Sequence, residues 1–298
     1  MVCKMGNYSI SCCASADLNR EFLEEIDVRY IYFHFDLGGK HYYDDMWQSM
    51  KPQEMYGRML DGEDCRTSQI NATEYEEFFE EVLKEGKDVI HICLAGGLSG
   101  TVNSARIAAN ELEERYPDNK IYIVDSVSAS SGFGLLVAKA AELRDAGMGA
   151  EELYNWLEEH KYKLQNWFIS TDLTFLIKGG RVTKTAGFVG SALKICPLLH
   201  IDKDGKLIPM EKIRTTKKCI KRIIEIMKER AEGGEDYSDL CYISQAESEE
   251  LAQYTIEQIK QAFPKCEPKM FTIGATIGVH TGPGTLAVFF FGNDRREE

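Results

Sequence analysis

KDVIHICLAGGLSGTVNSAR, residues Lys87–Arg106, sets the architecture. The apolar run Val89–Ala95 reads as a buried parallel strand. It breaks at Gly96 and Gly97, and a helix restarts through Thr101, Val102, Ala105, Ile107 and Ala108. A strand, a glycine turn and a helix start make a place for a polar or anionic head. Glycines let backbone N–H groups approach a ligand, and the helix N-terminus adds partial positive charge. Ser99 and Thr101 put hydroxyls on the same rim, although both also suit plain helix capping. The turn lacks the lysine of a Walker A loop and the spacing of G-x-G-x-x-G.

Working outward, the first half alternates strands and helices. Tyr8–Cys12 is a strand, then a helix runs through Phe22 and Ile26. Val28–Phe35 reads as one strand ending at the Leu37-Gly38-Gly39-Lys40 turn. A short helix over Gln53–Leu60 follows, then a capping box at Thr73–Glu76 opens the next helix. After the central strand and its helix come a strand over Lys120–Asp125 and helices over Gly132–Leu143 and Ala150–Leu164. Such units predict a mostly parallel sheet covered on both faces, with ligands beyond the carboxyl ends of the strands.

The second half differs. It has a strand over Asn166–Ser170, a helix over Leu173–Arg181 stopped by Gly179-Gly180, and a mixed stretch over Ala186–Ile201. A hairpin turn follows at Asp202–Lys206, then helices over Thr215–Ala231 and Glu247–Phe263 flanking a strand over Leu240–Ser244. Lys269–Val279 and Leu286–Phe291 read as closing strands. The fold class is therefore α/β in two domains: residues 1–164 form a three-layer parallel-sheet domain and residues 165–298 an α+β domain.

The chain has 298 residues, 44% of them hydrophobic, and 28% charged residues spread along its length, which excludes disorder. The 48 acidic residues outnumber the 35 basic ones, giving a net charge of −13. That repels a phosphate backbone, so no nucleic acid is expected as a partner. No run reaches the ~18 to 20 apolar residues of a membrane span, so no membrane insertion is expected. The polar start and nine scattered cysteines without C-x-x-C fit a reduced, cytoplasmic protein. Histidines and cysteines do not pair at zinc-site spacings, so no metal site and no cofactor are expected.

Several short motifs occur together: Thr67-Ser68-Gln69, Leu98-Ser99-Gly100-Thr101, Val124-Asp125-Ser126, Lys178-Gly179-Gly180-Arg181, Leu193-Lys194-Ile195, Asp204–Pro209, Lys212-Ile213-Arg214 and His280-Thr281-Gly282-Pro283-Gly284. In this order they resemble the DegV family of bacterial lipid-binding proteins. The resemblance implies two domains holding one long-chain fatty acid in a tunnel between them. It also implies a partner, a separate ATP-dependent fatty acid kinase catalytic subunit to which the carboxylate is presented. In the family the carboxylate is held by the threonine of T-S-Q, a serine just before L-S-G-T, and the histidine of H-x-G-P-G.

By position, Thr67 and His280 match. The serine does not, because the family's S-S-x-L-S-G-T reads Ala95-Gly96-Gly97-Leu98-Ser99-Gly100-Thr101 here. The family's D-S-T-A-D-L likewise begins with Cys13. Ser126, Ser99 or the N–H groups of Gly96 and Gly97 are the candidates to replace the hydroxyl; otherwise the preferred head group differs. Arg181 is a candidate head-group contact and equally an ordinary surface arginine. Arg214 is the candidate partner contact within a basic stretch reaching to Arg222.

A second reading is a serine hydrolase of acyl esters or thioesters. Ser99, Asp125 and His280 follow the chain order of an α/β-hydrolase triad, but Gly97–Thr101 misses the final glycine of G-x-S-x-G.

Overall fold

The computed structural model describes residues 7–182 and 195–297. Their first half runs β1 (Tyr8–Cys13), α1 (Arg20–Glu25), β2 (Val28–Ile31), β3 (His34–Leu37), β4 (Lys40–Tyr43), α2 (Pro52–Leu60), β5 (Cys65–Ser68), α3 (Ala72–Lys84), β6 (Asp88–Cys93), α4 (Thr101–Arg115), β7 (Ile121–Asp125), α5 (Ser131–Asp145) and α6 (Ala150–His160). Then come β8 (Leu164–Ile169), α7 (Thr174–Lys178), β9 (Ile195–Ile201), β10 (Leu207–Arg214), α8 (Thr216–Arg230), β11 (Cys241–Ala246), α9 (Glu249–Ala262), β12 (Lys269–Thr272), α10 (Ala275–Thr281) and β13 (Thr285–Phe291).

The strands Tyr8–Cys13 and Asp88–Cys93 are almost wholly buried and lie side by side in parallel, as the inner strands of a sheet covered on both faces. The parallel sheet has the order β2-β1-β6-β7. From its centre the chain steps outward in both directions, so right-handed crossovers put α1 and α4 on opposite faces. The carboxyl ends of β1 and β6 flank the switch point. A six-stranded sheet, β10-β9-β8-β13-β11-β12, is antiparallel except for its β11–β12 pair. The expected boundary at residue 164 falls on the first residue of β8.

Helix α5 packs on β1 and β6 of the parallel sheet and on β8, β11 and β13 of the other. Every residue from Ser131 to Ala138 is buried, and that stretch carries no charged side chain, as a helix segment between two sheets requires. Glycine is required at 132 and 134. A Cβ at Gly132 would lie 2.6 Å from the Phe289 ring, and one at Gly134 2.6 Å from the Ala16 carbonyl oxygen.

Several expectations are corrected. Val28–Phe35 is two strands. β2 joins the parallel sheet, while β3 pairs with β4 and β5 in a third, antiparallel sheet. The capping residue of α3 is Asn71, not Thr73: its side chain accepts from Glu74 N, and Glu74 accepts from Asn71 N. Helix α6 stops at His160 rather than Leu164. Lys269–Val279 is not one strand, because β12 ends at Thr272 and α10 begins at Ala275. The reason is non-local. Asp44, buried, accepts from the N–H groups of Ala275 (3.0 Å) and Thr276 (2.9 Å), and Asp17 accepts from Gly274 N at 2.9 Å. Those carboxylates satisfy the first helical turn that an alternating TIGATIG pattern conceals. Leu193, Lys194 and most of the Ala186–Ile201 stretch lie outside the described residues; from Ile195 the chain forms β9.

The C-terminal segment ties the units together. The Arg295 side chain is buried and donates to four carbonyl oxygens: Ile201 (2.9 Å), Asp202 (2.7 Å), Val127 (3.1 Å) and Lys161 (3.0 Å).

Candidate functional site

Between the sheets lies a cavity of about 480 Å³, lined from both halves of the chain. That is the size of a small-ligand site. Much of its wall is apolar, with Leu94, Leu98, Phe168, Leu176, Ile277 and Phe289 among the contributors. Thr67, Gln69, Ser99, Arg181 and His280 add polar groups.

Strand β5 alternates, so Cys65 and Thr67 turn inward while Arg66 and Ser68 face solvent. This presents the Thr67 hydroxyl to the last turn of α10, where His280 stands. Thr67 Oγ1 and His280 Nε2 are 2.7 Å apart. The ring is confined: a Cβ on Gly179 would come within 2.3 Å of His280 Nδ1. The glycines read as a helix stop therefore also make room for the imidazole. Behind them, α10 closes at Gly282, whose φ of 72° needs glycine.

Burial pushes the His280 pKa down to about 4, and the nearby Arg181 charge adds to the effect. The ring is neutral at pH 7. In its Nε2–H tautomer it donates to Thr67 Oγ1 and leaves the threonine proton free for a ligand oxygen. Nδ1 is buried and has no partner among the described residues. The Arg181 guanidinium is half-buried, and desolvation lowers its pKa. It donates to the carbonyl oxygens of Gly179 (2.5 Å) and Leu98 (3.2 Å), bridging α7 to the loop after β6. The cavity wall thus carries a threonine hydroxyl backed by a neutral imidazole, with a cation nearby. Such a set matches an anionic or strongly polar oxygen.

The other candidates either lie off the wall or have their polar groups engaged by the chain itself. Gly96 lines the cavity, but its N–H is taken by Asp125 Oδ1 at 3.0 Å, which also accepts from Val127 N at 3.0 Å. Gly97 is not on the wall. It fits against the hairpin turn, where a Cβ would lie 2.5 Å from the Asp204 carbonyl oxygen. Ser126 is buried, and its hydroxyl is consumed within its own turn by Ser128 O and Ser128 N, both at 3.2 Å. Arg214 is exposed at the end of β10, away from the wall. Ser99 does line the cavity, and its Oγ accepts from Thr101 N at 3.3 Å, the capping job.

Among the described residues no hydrogen bond joins Ser99, Asp125 and His280. The carboxylate is engaged by backbone and the imidazole by Thr67. Gln69, the last residue of the T-S-Q motif, also lines the wall and donates to Ser104 Oγ at 3.2 Å. Its place directly after β5, two residues from Thr67, was the available signal.

The fold and cavity define a class of α/β proteins built around an internal apolar pocket with polar groups on its wall. The family model described as an uncharacterised protein of the DegV family matches residues 12–293, and the chain belongs to that family. A DegV domain-containing protein of Clostridium perfringens is 34% identical over 291 residues, 98% of this chain and 99% of its relative. The structure of DegV from Bacillus subtilis, a fatty acid binding protein, superposes with a TM-score of 0.82 at 30% identity, covering 97% of this chain and 100% of that one. A Thermus thermophilus DegV family protein, described for its fatty acid binding, gives a TM-score of 0.86 at 26% identity, covering 96% and 100%. No described helix is long and apolar enough to cross a membrane.

Proposed function

We propose that this chain binds a long-chain fatty acid, with the acyl chain in the cavity and the carboxylate at Thr67 and His280 beside Arg181. The observation that carries the reading is the Thr67–His280 pair, 2.7 Å apart on the wall of an otherwise largely apolar cavity. The two fatty-acid-binding relatives named above support it. Burying a chain of ~16 carbons at ~0.8 kcal/mol per CH₂ gives ~12 kcal/mol before entropic costs, so the polar end need only orient the ligand. A missing family serine then weakens binding without abolishing it.

We further propose that the chain does no chemistry of its own and presents the carboxylate to a separate ATP-dependent kinase subunit. Phosphorylating a carboxylate needs an aligned γ-phosphate and usually Mg²⁺, and the sequence carries no Walker A loop. Arg214, exposed at the end of β10, is the proposed partner contact.

Mass spectrometry of organic extracts from the purified protein tests the ligand class. A co-purified fatty acid is expected, and an apo protein that fails to take up fatty acid from solution overturns the reading. Thr67→Val and His280→Ala should each weaken fatty-acid binding by ~1 to 3 kcal/mol, the range for a hydrogen bond to a charged group. Unchanged affinity in both variants removes the head-group assignment while leaving the cavity reading intact.

A further inference from the structure

The parallel register of the central strands creates a cluster that residue spacing hides. Ser11 lies opposite His91, and one step beyond the Cys12–Ile92 pair, Cys13 lies beside Cys93. Alternation along each strand puts Ser11, Cys13, His91 and Cys93 on one face of the sheet. Cys13 Sγ, a His91 ring nitrogen and Cys93 Sγ all lie within 4.8 Å of one another, and all three residues are fully buried. We propose that Cys13, His91 and Cys93 form a structural zinc site, built into the sheet beneath the loop that lines the ligand cavity.

Three features support it. Cys13 Sγ lies 3.6 Å from His91 Nε2. With Zn–S of ~2.3 Å and Zn–N of ~2.0 Å, the S···N edge of a tetrahedral site is about 3.5 Å, close to that separation. Secondly, His91 Nδ1 is 2.9 Å from Ser11 Oγ. When Nδ1–H donates to that oxygen, the ring is held with its Nε2 lone pair toward the cysteines, the usual support behind a zinc-bound imidazole. Thirdly, the hydroxyl of Tyr75 is 3.3 Å from Cys13 Sγ and offers an oxygen donor within reach for a fourth position.

Charge favours a divalent ion over a monovalent one. Each ion that enters takes the place of two thiol protons, which leave to solvent. Two thiolates, a neutral imidazole and Zn²⁺ sum to zero. A monovalent soft ion on the same ligands leaves a net negative charge, which is costly in a dry interior.

The site would couple to the cavity through short links. Tyr75 hydrogen-bonds Thr101 Oγ1 at 2.8 Å, at the start of α4, and Cys93 leads directly into Leu94 on the cavity wall.

The full chain is expressed in zinc-supplemented and, separately, cobalt-supplemented minimal medium, then desalted and analysed for metal. About one zinc per chain is expected, and the cobalt form should show thiolate-to-cobalt charge-transfer absorption with the strong visible bands of tetrahedral cobalt. Cys13→Ser and Cys93→Ser should lose both, whereas Cys241→Ser, on the other sheet, should keep both. The zinc form should melt about 5 °C above chelator-treated protein. Wild-type protein that carries no zinc under these conditions overturns the proposal, with no need of a variant. So does a folded Cys93→Ser protein with unchanged metal content.

Discussion

Replacing Arg295 with alanine is expected to lower the unfolding free energy by about 3–5 kcal/mol, the cost of breaking a buried charged hydrogen-bond set. Burial draws the guanidinium pKa down only to about 10, so the group stays charged at neutral pH. What makes that tolerable is acceptor oxygens from three separate places: the turn after β7, the segment before β8, and the end of β9. Without the side chain those carbonyls lose a shared donor, and a void opens beside them. Ile201 is also on the cavity wall, so fatty-acid binding should fall as the wall relaxes. Arg295→Lys keeps a charge but cannot match the planar fork, and should recover less than half of the loss. Urea denaturation with a wild-type midpoint for Arg295→Ala contradicts the clamp.

The second large effect is expected at Asp44. Asp44→Ala should cost about 2–4 kcal/mol, since it strands the buried N–H groups of Ala275 and Thr276. Burial raises the pKa of this carboxyl, while hydrogen bonds from Thr276 and Ala275 pull it back. Burial likewise raises Asp17. A carboxyl with a raised native pKa holds its proton more tightly folded than unfolded, so its contribution falls as pH rises through the native value. Asp44→Asn should therefore be better tolerated than Asp44→Ala, because it removes the buried charge and keeps one acceptor. In the alanine variant, α10 frays and His280 loses its fixed position opposite Thr67. Fatty-acid affinity should then drop by about tenfold or more. Thermal melting and ligand titration of both variants check this; equal stability of all three proteins contradicts it.

The parts of the fold readable from sequence were those decided locally. Val89–Ala95 read as a buried strand, and β6 lies there over Asp88–Cys93, ending two residues short of the expected Ala95. The hairpin at Gly38-Gly39 was legible because both glycines take positive φ, 58° and 78°, as a two-residue turn requires. The helix carrying His280 was not legible, because its first turn is satisfied by Asp44, some 231 residues away. Strand β5, which carries Thr67, was not legible because it is only four residues long and polar, Cys65–Ser68, and is held by pairing with β3. Ser126 and Gly97 were placed at the site because they sit near strand ends. Their partners, Ser128 and the 202–206 turn, are set by tertiary packing that spacing does not encode. Cys13, His91 and Cys93 meet only through strand register. Arg295 leaves no trace at all, since its acceptors are backbone oxygens that any residue supplies.

Helix α5 decides how cargo can leave. A hinged protein opens by swinging two rigid lobes about a thin connection, but here one buried helix is the shared wall of both sheets, and a continuous apolar core runs across it. Separating the lobes would expose that core along its whole length, at ~25 cal/mol for every Å². The molecule is a solid vessel with a stopper rather than a jaw. The stopper lies where the Arg181 guanidinium staples α7 to the loop after β6, through the carbonyl oxygens of Gly179 and Leu98. Its radius of gyration by small-angle scattering should therefore stay the same, empty or loaded, while hydrogen exchange quickens only around residues 96–100 and α7 in the empty form.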